Sequence, residues 1–381
     1  MEKKLSSGKR LVFAGAGHAH LFSLARLEHF LRGGAEVTVI SPTPLWYSGM
    51  GPGMLGGCYE AGDASVDVRA LVERRGGRFL EGKIAAVRPK ERSVLTEDGN
   101  EIPYDALSLN VGSEVSSPLL DGAPDWIFAV KPVSSYLELR RRMLALPPGA
   151  EPHIVVAGGG PSGCETAANV RELCRRHRRG GRITLSVGEA GLLPHFSPSA
   201  RRLAESEFEK MGIEVTERRI VGRSGHTLCY SDGSTGTADF LAVATGVRPP
   251  RILAESGLAV DGEGAMIVDE YLQSVSSEGV FGGGDCIAFK PFPLRRAGVY
   301  AVRQGPVLFE NLTACLSERP MRPFIPQREF LLILNLGRTG LLFRKPFVMK
   351  GRIPLLLKRW IDRRFVRSFQ LKIPPKGPTH L

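Results

Sequence analysis

Hydrophobic and polar positions along this chain follow one plan that is run twice. The first run opens with the apolar stretch Leu11–Ala14, which enters the turn Gly15-Ala-Gly17-His-Ala-His20. Apolar residues then recur three or four apart (Leu21, Leu24, Ala25, Leu27, Phe30, Leu31), the spacing of one helix face, until Gly33-Gly34 ends the segment. Glu36–Ile40 reads as the next strand, so the order is strand, glycine turn, helix, strand: a βαβ unit. The second run has Ile154–Ala157, the turn Gly158-Gly-Gly160-Pro-Ser-Gly163, a helical stretch through Leu173, Gly180-Gly181 and the strand Arg182–Ser186. Each run continues into a hairpin with an Asp-Gly turn, at Asp98-Gly99 and Asp232-Gly233. Each hairpin leads to an apolar strand closed by glycine, Leu107–Gly112 and Leu241–Gly246. A whole series repeated in order carries far more weight than one glycine motif.

The chemistry these turns offer is phosphate binding. A glycine turn at a helix N-terminus presents free backbone N–H groups and the positive end of the helix dipole to a pyrophosphate. Gly15 permits the tight turn and Gly17 lets a phosphate approach, while His20 stands where Gly or Ala is usual. Ser41 stands where an acidic ribose ligand usually follows the second strand. His18 and His20 read as phosphate-side or packing residues. The second turn is a full match at Gly158, Gly160 and Gly163. Glu189, just past its second strand, is either a ribose ligand favouring NADH or a solvated loop carboxylate. A third motif, Gly279–Asp285, places the Asp285 carboxylate beside the first nucleotide site, and a further helix through Leu308 follows Ala297-Gly298-Val299.

Composition changes this picture little, except at the end. The chain has 381 residues, 43% hydrophobic and 24% charged, enough for two or three domains. Its 45 glycines are nearly twice the usual share of roughly 7%. The six cysteines form no CxxC or CxxxxC pair, so neither a metal site nor a redox dithiol is expected. No apolar run approaches the roughly 18 residues of a membrane span, and a cytoplasmic protein is expected. The net charge of +12 is concentrated after Leu341, in Arg344, Lys345, Lys350, Arg352, Lys358, Arg359, Arg363, Arg364, Arg367, Lys372 and Lys376 against Asp362 alone. Over Leu355–Gln370, Leu357, Trp360, Ile361, Phe365 and Phe369 share one helical side and the cations lie elsewhere. That pattern predicts a helix in an anionic membrane interface, on the inner face of the plasma membrane, or one packed on its own protein or a dimer partner. Basic residues interleaved with large apolar ones, with no recognition motif, argue against nucleic acid.

Taken together the motifs resemble the FAD/NAD(P)-binding pyridine nucleotide–disulfide oxidoreductase superfamily, and within it the type II NADH dehydrogenase-like branch. The closer similarity is to flavoproteins associated with or fused to selenide water dikinase, through Gly15–His20, Ile40-Ser-Pro42 with Tyr47–Met50, Ala297–Pro306 and the tail Lys358–Phe365 with Phe369-Gln370. The resemblance implies an α/β fold of two Rossmann-like dinucleotide-binding domains, of three-layer ββα type, with a small C-terminal α+β region. The corresponding boundaries are 1–115 and 247–322 for the FAD-binding domain, 116–246 for the NAD(P)H-binding domain and 323–381 for the C-terminal region. It implies FAD on Gly15, Gly17, His18, Ala19, Ser41, Gly112 and Asp285, with Ser48, Gly49, Met50, Ala297, Gly298 and Val299 near the flavin ring. NADH or NADPH would lie on Gly158, Gly160, Gly163, Glu189 and Gly246. Glu165 would stand at the nicotinamide–flavin junction or simply cap its helix. Gln304 would stand at a quinone site, although Arg303 replaces one of the two glutamines usual there. The activity implied is hydride transfer from NADH to FAD and electron transfer to a quinone-like acceptor. Rival readings are a sulfide:quinone oxidoreductase, with Cys164 and Cys286 beside the nucleotide motifs, and a flavin-binding redox module of selenium metabolism.

Overall fold

The computed structural model describes residues 8–370; Lys3, Lys4, Lys372 and Lys376 of the basic ends lie outside it. Two five-stranded parallel sheets carry the molecule. In spatial order the first holds Val280–Gly282, Ala106–Leu109, Arg10–Ala14, Glu36–Ser41 and Arg78–Glu81. The second holds Ile127–Ala129, Phe240–Val243, His153–Ala157, Arg182–Ser186 and Ile213–Thr216. The duplication read from the pattern is thus a duplication of topology. Ala14 pairs with Ile40 and Leu109, and Ala157 pairs with Ser186 and Val243, so each glycine turn leaves the sheet at the same register. The first residue of each turn is pinned identically: Gly15 N donates to Ile40 O and Gly158 N to Ser186 O, both at 2.8 Å.

The central strand of each sheet is apolar over Leu11–Ala14 and Ile154–Ala157 because both of its faces are covered, as in parallel sheets generally. Leu11, Val12, Phe13, Ile154, Val155 and Val156 are all buried. Each parallel sheet is accompanied by an antiparallel sheet of three short strands, at residues 84–103 and 220–237, and by helices. The Asp-Gly hairpin turns form as expected, with Gly99 at φ 85° and Gly233 at φ 81°. The helix expected over 21–31 is two short pieces, Leu21–Leu24 and Leu27–Arg32, because Arg26 leaves helical geometry between them. Two long helices matter for the site. Helix α1 (Pro161–Arg176) follows the second glycine turn with Gly160 as its cap and Pro161 in its first turn, where a missing N–H costs nothing. Helix α2 (Gly298–Leu316) runs past the expected Leu308.

The C-terminal region is a three-stranded antiparallel sheet, Leu332–Leu336, Thr339–Arg344 and Phe347–Gly351, followed by helix α3 (Arg352–Arg367). The sheet is fastened to the second module: Asn169 Nδ2 donates to Asn335 O at 2.9 Å, and Lys350 pairs with Glu207 at 2.7 Å. Helix α3 reaches back to the first module, where Arg363 pairs with Asp63 at 3.2 Å and Gln370 donates to Gly62 O and Ser65 O. It exists as expected, but its facing is not the expected one. Lys358 and Asp362, 9% and 3% exposed, point inward, whereas Ile353, Leu356 and Trp360 are 71%, 58% and 59% exposed. Phe365 turns inward as well, 4.9 Å from the ring of Tyr47. The expected polar side therefore supplies the buried charges, and only part of the expected apolar side meets solvent. A lysine and an aspartate four residues apart can neutralise each other, and periodicity alone does not reveal this.

Helix α3 docks by backbone contact: a Cβ built on Gly340 would lie 2.5 Å from Leu355 N and 2.9 Å from its Cα. Gly340→Ala is expected to destabilise the protein by about 1–3 kcal/mol, as overpacking does. Denaturant unfolding followed by tryptophan fluorescence checks this, and an unchanged midpoint would contradict the close docking.

Candidate active site

The first glycine turn is built to be bare. A Cβ on Gly15, which sits at φ 81°, would strike Asn110 O, and one on Gly17 would run into the Asn110 side chain. Asn110 is the clamp: its Oδ1 accepts from Ala19 N at 3.1 Å while its Nδ2 donates to Gly283 O. Ser41 serves the same turn, accepting from Ala16 N at 3.1 Å and donating to Pro42 O at 2.9 Å. His20 replaces the usual small residue by filling the gap with hydrogen bonds. Its Nδ1 donates to Gly15 O at 2.5 Å and its Nε2 accepts from Ser108 Oγ at 2.8 Å. Burial pushes its pKa down to about 4, so the ring is neutral and the two roles are fixed.

His18 is different. Its ring is buried against Tyr47, at 5.1 Å, and Phe365, at 6.3 Å, and its Nε2 has no partner in the protein. A buried polar atom without a partner is costly, so this nitrogen fits a group supplied from outside the chain. Burial pushes its pKa down to about 4, which leaves it a neutral partner. Nearby, the Asp285 carboxylate accepts from Ser113 Oγ at 2.7 Å and from Lys131 Nζ at 2.8 Å. Burial alone would raise the Asp285 pKa, but Lys131 and Ser113 outweigh it and hold the carboxyl below its ordinary value. Gly112 and Gly284, both at φ 77°, and the open start of α2 at Gly298 complete this rim. Gln304 is buried beneath it, its Oε1 accepting from Gly284 N at 2.7 Å, so its carbonyl shapes the rim from below. The bare turn, the unpartnered nitrogen and the free helix end fit FAD.

The second turn opens on a cleft of about 570 Å³. Gly158, Gly160, Glu189 and Gly246 all line it, together with His195 and Arg219, which the sequence did not single out. Gly163 lies beneath, where any Cβ would collide with Gly158 O. The expected nicotinamide-site residues are thus brought together around one space, with Gly163 as the close helix–strand contact.

A buried charged cluster joins helix α3 to both modules. Lys358 Nζ donates to Gly49 O at 3.0 Å and pairs with Asp362 at 3.2 Å, and Tyr59 OH donates to Asp362 Oδ2 at 2.8 Å. Glu165, on the first turns of α1, faces the same lysine and accepts from Asn335 N at 2.6 Å. Burial pushes Glu165 up to about 7, against the lowering pull of Lys358 and the Asn335 N–H. Burial would lower the Lys358 pKa, but Asp362, Glu165 and Tyr47 outweigh it, so the ammonium stays charged. Tyr47 is raised to about 12 by burial and Asp362. Ser48, Gly49 and Met50 form the short turn under this cluster.

The profile of the pyridine nucleotide-disulphide oxidoreductases matches residues 9–305. The chain belongs to that family. Among curated relatives, the NADH dehydrogenase-like protein YutJ of Bacillus subtilis is 22% identical over 73% of this chain and 76% of its own length. The type II NADH:quinone oxidoreductase NdhA of Mycobacterium tuberculosis is 27% identical over 78% of this chain and 69% of its own. Among solved structures, the sulfide:quinone oxidoreductase of Aquifex aeolicus superposes with a TM-score of 0.77, at 18% identity, over 95% of this chain and 92% of that one. Like other members of the family, the chain is an FAD-dependent NAD(P)H oxidoreductase. All six cysteines are free, and Tyr47–Cys58 holds a single thiol where disulfide-reducing members carry a pair.

Lys131, Asn110 and Lys358 were missed in the sequence. Asn110 carried a signal, as the one amide at the tip of an apolar strand; Lys131 carried none, since its partner Asp285 is far along the chain. Glu165 sets a pH test. The unfolded chain releases this proton near 4.5 and the folded one near 7, so between these values the folded state binds more protons and stability falls as pH rises. Glu165→Gln removes that contribution. Its thermal midpoint relative to the parent protein is expected to climb from pH 5 to about pH 7 and then level off; a constant offset would contradict the raised pKa.

Proposed function

We propose that this enzyme oxidises NADH or NADPH and delivers the electrons to a quinone-like acceptor at a membrane surface. The observation that carries the proposal is the position of Lys358. It touches Gly49, in the segment expected near the flavin ring, and faces Glu165, on the helix that follows the second glycine turn, so the two modules meet at one buried charge. Bound flavin supplies the chemistry of accepting a hydride and releasing electrons. The chain supplies placement. Gly15 and Gly17 would take the FAD pyrophosphate, His18 and Asp285 the polar chain behind the ring, and Ser48–Met50 with Ala297–Val299 the ring itself. Gly158, Gly160 and Gly163 would take the nicotinamide dinucleotide, pointing its reactive ring toward Glu165. Holding the two rings in contact is the larger part of catalysis for such a transfer, and no acid–base side chain is needed for the hydride itself. Glu165, with a pKa near 7, can hold or release a proton when the acceptor is reduced.

The quinone acceptor is supported by the relatives' activities and by the outer side of α3. Ile353, Leu356 and Trp360 form an exposed ridge one to two turns apart, flanked by exposed Arg352, Arg364 and Arg367. Phe347 and Met349 on the adjoining strand extend the apolar surface. Apolar side chains ringed by arginine suit an anionic lipid interface. Among the described residues no helix is long and apolar enough to cross a membrane. A sulfur-carrying role for Cys164 or Cys286 is disfavoured. Both are buried with Sγ on backbone carbonyls, and burial raises both thiols, Cys286 to about 11.

The direct test is anaerobic mixing of the yellow holoprotein with NADH. Flavin absorbance is expected to bleach and to return when a naphthoquinone is added; a flavin that stays oxidised with both nucleotides would overturn the proposal. For the surface, the Leu356→Ser/Trp360→Ser double variant is expected to bind anionic vesicles about tenfold or more weakly in a pelleting assay. Equal pelleting of variant and parent would show that the ridge does not bind the vesicle surface.

A further inference from the structure

The nicotinamide-side cleft ends, past Ser186, in two opposite charges that stand either side of a glycine. Glu189 and Arg219 both line the cleft and both are exposed. Gly188 between them is at φ 67°, and a Cβ built on it would lie 3.5 Å from Arg219 Cβ. The arginine stem therefore crosses the backbone at the tip of the second strand. Its own backbone is anchored to the hairpin: Arg219 N donates to Ser231 Oγ at 3.2 Å and Arg219 O accepts from Ser231 N at 2.8 Å. The neighbouring Arg218 is committed elsewhere, donating to Thr216 Oγ1 at 3.1 Å and lying 4.7 Å over the Tyr230 ring. Among the described residues neither the Arg219 guanidinium nor the Glu189 carboxylate makes an ion pair.

A dinucleotide held by a glycine turn places its adenosine ribose just beyond this strand end. There an acidic side chain suits a 2′-hydroxyl and an arginine suits a 2′-phosphate. We infer that the cleft accepts NADPH as well as NADH, with Arg219 holding the 2′-phosphate and Glu189 the 2′-hydroxyl. The planar guanidinium can engage two phosphate oxygens at once. Glu189 is exposed, so water and salt screen its repulsion of the phosphate and its side chain is free to turn outward. Reading Glu189 alone gives an NADH enzyme. The opposing arginine, thirty residues later in the chain, gives a dual one.

This inference rests on the proposed nicotinamide site, and the test separates the two. Adenosine 2′,5′-bisphosphate and ADP are titrated into the holoenzyme by calorimetry, at low and high salt, for the parent protein and for Arg219→Ala, Arg219→Lys and Glu189→Gln. Arg219→Ala is expected to weaken adenosine 2′,5′-bisphosphate by about 10- to 100-fold, the worth of one or two charge-assisted hydrogen bonds. Arg219→Lys, which keeps the charge but loses the fork, is expected to fall between. The ratio of kcat/KM for NADPH to that for NADH should drop by a similar factor in Arg219→Ala and rise in Glu189→Gln. Unchanged bisphosphate affinity in Arg219→Ala, with ADP still bound, overturns this inference and leaves the nicotinamide site standing. Failure of both probes to bind the parent protein overturns both.

Discussion

The interaction on which the rest of the structure depends is the burial of Lys358 against Asp362. A lysine ammonium placed among apolar side chains is strongly unfavourable unless compensated, and here compensation comes from three separate parts of the chain. Asp362 supplies the countercharge from one turn along the same helix, Gly49 supplies a carbonyl from the first module, and Glu165 stands opposite from the second. Tyr59 completes the shell of Asp362. The pair can be satisfied in one place only, so it fixes both the position and the rotation of α3. Rotation decides what each side of the helix does. The inward side closes the junction of the two modules with Lys358, Asp362 and Phe365, and the outward side presents Ile353, Leu356 and Trp360.

That arrangement links two properties that are otherwise unrelated. The antiparallel sheet before α3 is tied to the second module through Asn335 and Lys350, while the helix is tied to the first through Arg363 and Gln370. A single C-terminal unit is thus bonded to both nucleotide modules. Contact between two planar rings demands positioning to within a fraction of an ångström, which a flexible joint between modules cannot give. The C-terminal unit bridges that joint with bonds to both modules, and the same helix exposes the apolar ridge of Ile353, Leu356 and Trp360.

The fold was legible because its signals are local and repeated. Each strand, turn and helix around Gly15 and Gly158 is written in consecutive residues, and the Asp-Gly hairpins mark where each module turns back. The glycines of the site were legible for the same reason, since a backbone that must approach a phosphate declares itself in sequence. What stayed hidden depends on contacts between distant segments. His20 looked like a defect in the motif; in three dimensions its ring spans Gly15 O and Ser108 Oγ and does the work of a close-packed glycine. Lys131 finds Asp285 across more than a hundred residues. The helix at 352–367 was legible as an amphipathic helix, but its rotation was not. Periodicity counts charges as outward, and Lys358 with Asp362 is an inward pair.

A double-mutant cycle on that pair, using Lys358→Met, Asp362→Leu and the two together, with unfolding free energy measured in denaturant, decides whether it holds the helix in place. Each single change leaves a buried charge without its partner and is expected to cost about 3–5 kcal/mol, whereas the double variant should recover most of the loss. Single costs that add to within about 0.5 kcal/mol would mean that the two side chains act independently, and the helix would need some other reason to sit where it does.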